Sequence, residues 1–303
     1  MARGNGRFAP LDILVVTYTA WVALLVAWFH GNIQKPIPIL VFHAIVLGAI
    51  LALPARGAPW ETAPAGESAL RRNVRGGLRF LRYTYPLLLV LFFFEEVQQT
   101  VGAVYPDSPY WFEPTLYAWD RWVFGELPAI LLDPFVGFWQ DEILHGFYFS
   151  YYFILVGGVV SMYFGGRERP SAAFQPTLST AITAFILCFG WYPFLPARGP
   201  WENPELMASL KPFQGLVFTP IIQKIIEHGA VSGGCFPSSH VAASWGVVFG
   251  VARFRRKTAG ILALFALGMS FACVYTRYHH AVDVAAGLIA ALMAALIVRV
   301  AAS

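Results

Sequence analysis

Long apolar runs constrain the fold of this chain more than any other feature. The runs are Ile13–His30, Ile39–Leu53, Pro86–Val104, Leu144–Phe164, Leu178–Leu195, Pro237–Phe254, Ala259–Tyr275 and Ala281–Val298. A bilayer core of ~30 Å needs about 20 helical residues, and backbone groups in lipid must bond within their own segment. Only 13% of the residues are charged, against about 25% in an average soluble domain. The sequence therefore predicts an all-α, polytopic membrane bundle of about eight helices.

The distribution of basic residues predicts the orientation of this bundle. Residues 1–303 are expected to form a single integral membrane domain, because no internal repeat divides them. If both termini are cytoplasmic, the inner segments hold 15 of the 21 Lys and Arg residues. Short cytoplasmic loops concentrate such residues. The net charge of +4 is therefore interpreted as a signal of orientation, and no nucleic-acid partner is expected.

Three scattered cysteines, Cys188, Cys235 and Cys273, do not fit a disulfide framework or a zinc site, whose ligands usually come in close pairs. We expect them to pack inside the bundle. The sequence has no Walker or dinucleotide glycine motif and no Gly-x-Ser-x-Gly elbow. It therefore predicts no cofactor.

A first candidate cluster precedes the sixth apolar run and reads Gly233-Gly234-Cys235-Phe236-Pro237-Ser238-Ser239-His240. Proline is tolerated in the first helical turn. Ser238 and Ser239 would then offer hydroxyls and free N–H groups at a helix N-terminus, which binds anions. A plain serine cap is the alternative, but a cap does not need His240 beside it.

A second cluster lies between the last two runs and reads Arg277-Tyr278-His279-His280-Ala281-Val282-Asp283. His279 and Asp283 are four residues apart and share a helix face, so Asp283 can orient one ring nitrogen and leave the other as a nucleophile or base. His280 is three residues from Asp283 and could compete for it. Arg277 offers a planar fork for phosphate oxygens. The alternative is a set of interfacial residues that reach toward water.

A third cluster, around Arg198, follows the fifth run and reads Phe194-Leu195-Pro196-Ala197-Arg198-Gly199-Pro200-Trp201. Under the predicted topology, Arg198, His240 and His279 lie at one depth on the outer side. The three clusters are therefore expected to form one site.

Other polar residues leave alternatives open. Glu95, Glu96, Gln98 and Gln99 could bind a lipid headgroup or lie at the interface. Asp141, Glu142 and His145 could hold a metal ion, but we expect the outer boundary of the fourth span there and predict no metal site. The segment Leu216–Ile226 is apolar enough to form a lid or a substrate entry.

The serine and histidine clusters resemble the second and third signatures of the type 2 phosphatidic acid phosphatase superfamily. Trp191 stands where the first signature has lysine, Gly199 where it has proline, and Cys273 where the third signature has arginine, with Arg277 as the expected replacement. The resemblance covers a catalytic part at 190–298. The residues that depart from the usual signatures resemble those of the branch that includes inositol phosphorylceramide synthases and many bacterial phosphatases.

The resemblance implies a six-helix phosphatase-type core and a metal-independent lipid phosphatase or phosphotransferase, which we expect in a bacterial cell membrane. The orientation predicted from the basic residues would place its site on the extracytoplasmic face. It implies that His279 attacks phosphorus, that Asp283 orients it and that His240 protonates the leaving oxygen. Arg198, Arg277, Ser238 and Ser239 would bind the phosphoryl group of a lipid phosphate.

Two alternatives to hydrolysis stay open at this point. One is transfer of a phospho-headgroup to a lipid hydroxyl. The other is a transporter that moves protons or an anion through His279, Asp283 and the intramembrane glutamates, although the halves show no repeat. The oligomeric state has no signal in the sequence.

Overall fold

The computed structural model describes residues 8–53, 66–106, 111–165 and 171–301. Five of the predicted inner basic residues, Arg3, Arg7, Arg56, Arg167 and Arg169, lie outside these ranges. The helices of the first half are α1 Pro10–Trp28, α2 Pro36–Ala52, α3 Ala69–Thr100, α4 Glu113–Phe124, α5 Pro128–Leu132, α6 Phe138–Tyr152 and α7 Gly158–Phe164. Those of the second half are α8 Phe174–Phe189, α9 Pro204–Ala208, α10 Phe218–Gly229, α11 Ser239–Ala252, α12 Arg256–Tyr275 and α13 Ala281–Val300.

The predicted all-α class is confirmed, since the described ranges contain no strand. Within the described ranges, five helices are long and apolar enough to cross a membrane: Pro10–Trp28, Ala69–Thr100, Phe138–Phe164, Arg256–Tyr275 and Ala281–Val300. The third of these joins α6 to α7 through a π-helical turn at Phe153–Gly157. Three shorter apolar helices in the same described ranges, α2, α8 and α11, overlap the remaining predicted runs. The chain is thus a polytopic helical bundle that fits an integral membrane protein.

Helix α11 lies at the centre of the bundle, where it packs against α8, α12 and α13. Small residues bring α11 close to α8: a Cβ added at Gly250 would lie 2.6 Å from the Thr177 Cα, and one at Gly246 would lie 3.2 Å from the Ala181 Cα. Small residues at helix contacts let backbones approach closely in membrane proteins. The α8–α11 contact therefore depends on glycine.

Buried polar contacts attach the N-terminal helices to each other. The Asp12 carboxylate accepts from Arg82 at 2.7 Å and 3.0 Å and from the Tyr85 hydroxyl at 2.8 Å, which joins α1 to α3. His43 Nε2 lies 2.7 Å from Glu96 Oε1, which joins α2 to α3. Ionisable side chains inside a bundle are costly unless they pair in this way.

Short helices cover one end of the bundle. Helices α4 and α5 lie between α3 and α6 in the chain, and α10 includes most of Leu216–Ile226, the segment predicted to form a lid or a substrate entry. Helix α10 packs against α6. The Glu142 carboxylate of α6 accepts from the N–H groups of residues 216–219 at 2.8–3.2 Å and caps α10. Glu142 is therefore occupied by backbone donors.

Substitution of Gly250 tests the α8–α11 contact. We expect Gly250→Ala to lower the melting temperature in detergent, because overpacking usually costs about 1–3 kcal/mol. Gly260→Ala in α12 is the control, since an added Cβ there has no neighbour within 4 Å. Equal melting temperatures for both variants would contradict the proposed close contact.

Candidate active site

The N-terminal ends of α11 and α13 meet, and this contact forms the frame of the site. Ser238 is the cap of α11, where its hydroxyl accepts from the Val241 N–H at 3.4 Å. The Ser238 N–H donates to the carbonyl of Asp283 at 3.4 Å. A Cβ at Gly287 would lie 2.5 Å from the Ser238 carbonyl oxygen, so glycine permits the approach. Helix α11 begins at Ser239, and Pro237 lies before the cap rather than in the first turn.

His279 and Asp283 form a close buried contact in the site. His279 Nδ1 lies 2.6 Å from Asp283 Oδ2, and both side chains are buried. If Nδ1 donates its proton to the carboxylate, Nε2 keeps a free lone pair. That nitrogen lies 3.5 Å from the Ser238 hydroxyl. The arrangement can therefore supply a nucleophile or a base at Nε2.

Cys235 also contacts this pair, a role that the packing interpretation missed. Its sulfur lies 3.1 Å from Asp283 Oδ2 and 3.6 Å from His279 Nδ1. Burial, and then the neighbouring Asp283 charge, raise the pKa of the Cys235 thiol, so the thiol stays protonated and donates to the carboxylate. The position of Cys235 directly before the Phe236–His240 motif is the sequence feature that could have indicated this role.

The donor atoms of Cys235, His279 and Asp283 lie within 4.8 Å of one another and could hold a metal ion. Sulfur, imidazole and carboxylate donors suit zinc. Such an ion would replace the proton between His279 and Asp283 and take the Nδ1 lone pair. With the ion bound, His279 could not also act as a free imidazole that Asp283 orients.

His240 lies beside this pair, as the topology predicted. The His240 ring centroid is 5.5 Å from that of His279. Two tyrosines of α6, Tyr148 at 5.6 Å and Tyr151 at 4.6 Å, flank the ring. His240 Nδ1 is buried and has no hydrogen-bond partner among the described residues. The structure thus brings the two histidines together and leaves Nδ1 of His240 without a hydrogen-bond partner among the described residues.

Arg198 lies near the turn that holds His279 and is held by two residues outside the predicted clusters. Its guanidinium donates to Glu113, with Nε 2.6 Å from Oε1, and stacks on Trp111 at 4.5 Å. The Arg198 side chain remains 43% exposed. A cavity of about 310 Å³ opens beside it, lined by Glu113, Tyr117, Arg198, Gly199, Glu202, Asn203, Pro204 and Glu205. Arg198 is therefore accessible to a ligand.

Arg277 is engaged elsewhere in the structure. It adopts a left-handed φ of 66°, and its guanidinium donates to Asp133 and to the Lys211 carbonyl, each at 2.9 Å. The ring of Phe213 stacks on it at 4.2 Å, and only 1% of the side chain is exposed. A phosphate could bind Arg277 only by displacing Asp133.

The remaining candidates divide between the site and its surroundings. Ser239 begins α11 and is buried, whereas Glu96 is buried against His43 and is not among the contacts of the two site histidines. Glu95 is exposed and Gln99 half-buried on α3. Asp141 accepts from the Tyr275 hydroxyl at 2.6 Å and the Gln214 N–H at 2.8 Å, and its carbonyl lies 2.7 Å from His145 Nδ1.

His280 does not compete for Asp283. Its Nδ1 lies 3.4 Å from Asp120 Oδ2, a carboxylate of α4, and its Nε2 lies 3.2 Å from the Arg198 carbonyl. The spacing in sequence left His279 and His280 as alternatives for the pairing with Asp283. The structure pairs each histidine with a different aspartate.

Comparison with known protein families gives a match over the middle and C-terminal parts of the chain. A family model described as the PAP2 superfamily matches residues 114–297, more than half of the chain. The matched range contains all three clusters and extends upstream to α4. No curated protein and no solved structure matches the chain.

The Arg277–Asp133 pair generates a test that needs no assumption about activity. We expect Asp133→Ala to destabilise the protein by about 3–5 kcal/mol, because it leaves a buried guanidinium without its carboxylate. Glu126→Ala is the control, since Glu126 and Arg121 form an exposed pair that should contribute at most about 1 kcal/mol. Melting curves in detergent measure both. Matching shifts would mean that Arg277 does not depend on Asp133.

Proposed function

The chain belongs to the PAP2 superfamily, and on this premise we propose that it removes phosphate from a lipid phosphate ester through a phosphohistidine intermediate. The observation that carries the proposal is the 2.6 Å contact of His279 with Asp283, beside the ring of His240. Family membership supports an activity of the phosphatase or phosphotransferase type, and hence an enzyme rather than the transporter.

In the proposed first step, His279 Nε2 attacks phosphorus and the bond to the lipid oxygen breaks. His240 gives its proton to that oxygen, and a lipid alcohol leaves. Asp283 accepts a hydrogen bond from Nδ1–H, which keeps its proton, and stabilises the positive charge that develops on His279. Arg198 and the N–H groups at the start of α11 bind the phosphoryl oxygens, where negative charge gathers in the transition state.

In the second step, water attacks the phosphorus of phosphohistidine. His240 takes a proton from that water, the nitrogen–phosphorus bond breaks and free phosphate leaves. Protein groups supply the nucleophile, the acid and base, and the cation in this scheme, so we propose a metal-independent reaction.

We also propose that the site faces the outside of a bacterial cell membrane and that both termini are cytoplasmic. The support is the distribution of basic residues along the chain. Arg71, Arg72, Arg75, Arg79 and Arg82 all lie in the first half of α3, at the end away from the candidate site on this topology.

Transfer to a lipid hydroxyl is the second candidate. Two observations favour it: His279 is only 6% exposed, which limits the access of water, and the cavity beside Arg198 has room for a polar acceptor. Both reactions share the phosphohistidine and differ in the hydroxyl that reaches it. A bound acceptor can outcompete water by its position alone.

Turnover without an acceptor separates the two reactions. We expect the purified protein, given phosphatidic acid and no acceptor alcohol, to release diacylglycerol and free phosphate over many turnovers, with or without saturating chelator. His279→Ala provides the background rate. A single turnover that resumes on addition of ceramide or diacylglycerol would favour transfer instead.

Single substitutions test the assigned roles. We expect His279→Ala to abolish turnover and His280→Ala to retain a substantial fraction, because of the two histidines only His279 contacts the Asp283 carboxylate. His240→Ala should cost about 10²–10⁴ in rate for an alkyl phosphate, the usual contribution of a positioned acid, and less for an aryl phosphate whose alcohol leaves easily. Equal losses for both substrates would remove the acid role from His240.

A further inference from the structure

Helix α4 presents two carboxylates on its buried face. Its buried residues are Glu113, Leu116 and Asp120, which are spaced three and four apart and so lie on one side of the helix. A buried carboxylate is costly unless it is paired or hydrogen-bonded. Glu113 pairs with Arg198. Asp120, which is 2% exposed, finds all its described partners in the turn that carries the proposed nucleophile.

Asp120 caps helix α13 from outside that helix. Its Oδ1 accepts from the Val282 N–H at 3.0 Å, and its Oδ2 accepts from the Ala281 N–H at 3.3 Å. Helix α13 has no capping hydrogen bond from its own cap residue, His280. A carboxylate at a helix N-terminus binds the unpaired donors and interacts favourably with the helix dipole. Asp120 therefore fixes the first turn of α13, which contains Asp283.

The His280 ring connects Asp120 to the loop that carries Arg198. Its Nδ1 faces the Asp120 carboxylate and its Nε2 faces the Arg198 carbonyl, at 3.4 Å and 3.2 Å. The Arg198 carbonyl can only accept, so Nε2 serves as the donor to it. The edge of Tyr117 packs against the ring at 4.8 Å, and only 1% of the side chain is exposed. The ring is thus fixed between α4 and the Arg198 loop.

We propose that Asp120 and His280 form a second aspartate–histidine pair that positions the site without touching the reacting atoms. Asp120 holds the first turn of α13 so that Asp283 meets His279. His280 holds the Arg198 backbone against the same turn, which sets where the guanidinium can receive phosphate. This inference rests on the proposed function, because it assigns Arg198 to phosphate.

Two amide substitutions separate the two contacts of His280. In His280→Gln the amide nitrogen can reach the position of Nε2 and donate to the Arg198 carbonyl. In His280→Asn it reaches only the position of Nδ1, toward Asp120. We expect His280→Asn to raise both the KM for p-nitrophenyl phosphate and the Ki for inorganic phosphate about tenfold, the effect of one lost hydrogen bond. His280→Gln should change either constant by less than about threefold, and kcat should stay within about threefold in both.

Substitution of Asp120 should act on kcat. Asp120→Ala removes both acceptors for the N–H groups of α13, and we expect kcat to fall at least about tenfold. Asp120→Asn keeps one oxygen for the Val282 N–H and should restore much of that loss. Glu126→Gln is the matched control, because this exposed carboxylate follows the same helix, and it should retain the kinetics of the natural protein.

The experiment uses the full chain in detergent, with melting temperatures to establish that each variant is folded. Calorimetry measures phosphate binding independently of turnover. Equal phosphate affinity in His280→Asn and His280→Gln, or natural kcat in folded Asp120→Ala, would overturn the proposal. Parallel losses of stability and kcat in all four variants would do the same. Absence of phosphate-ester turnover by the natural protein would instead count against the proposed function.

Discussion

The meeting of α11 and α13 is the constraint on which the rest of the site depends. Ser238 caps α11 and donates its N–H to the carbonyl of Asp283, and Gly287 leaves room for that approach. His240 follows this cap by two residues, and His279 precedes the first turn of α13. Because both histidines are fixed to helix starts, their separation is determined by helix packing and not by flexible loops.

Buried charge within the described part of the bundle is neutralised locally. Asp12 with Arg82, Arg277 with Asp133 and His279 with Asp283 each place opposite or complementary groups within 2.9 Å. A medium of low dielectric strengthens such contacts and penalises any group left alone. The first two pairs join elements of the scaffold. The third differs because one histidine nitrogen still faces the site and has no acidic partner.

The outer helices connect this buried chemistry to the surface. Helix α4 contacts Arg198 through Glu113 and the start of α13 through Asp120. Helix α10 is fixed to α6 by the Glu142 carboxylate. These contacts leave Arg198 partly exposed beside a polar cavity while His279 stays buried. A substrate would therefore meet Arg198 before it meets the nucleophile.

The sequence by itself determined the class of the fold and favoured His279 over His280 as the partner of Asp283. Apolar runs dictate membrane helices because lipid offers no hydrogen bonds to the backbone. The spacing of four residues indicated the correct pair, although His279 lies before the cap residue His280, so the two side chains do not share a helix face. The meeting of His240 with His279 also followed from the sequence, because three successive spans fix which ends lie together.

Only the tertiary structure decided the partners that come from distant segments. Nothing in the spacing of residues 277–283 indicates that Arg277 pairs with Asp133, or that His280 pairs with Asp120, a residue of the distant helix α4. From the sequence, Cys235 is interpreted as a packing residue, because its thiol reaches Asp283 only when the segment before α11 lies against the start of α13. Periodicity reports which residues share a face of one helix, whereas the residue across from that face depends on how helices pack.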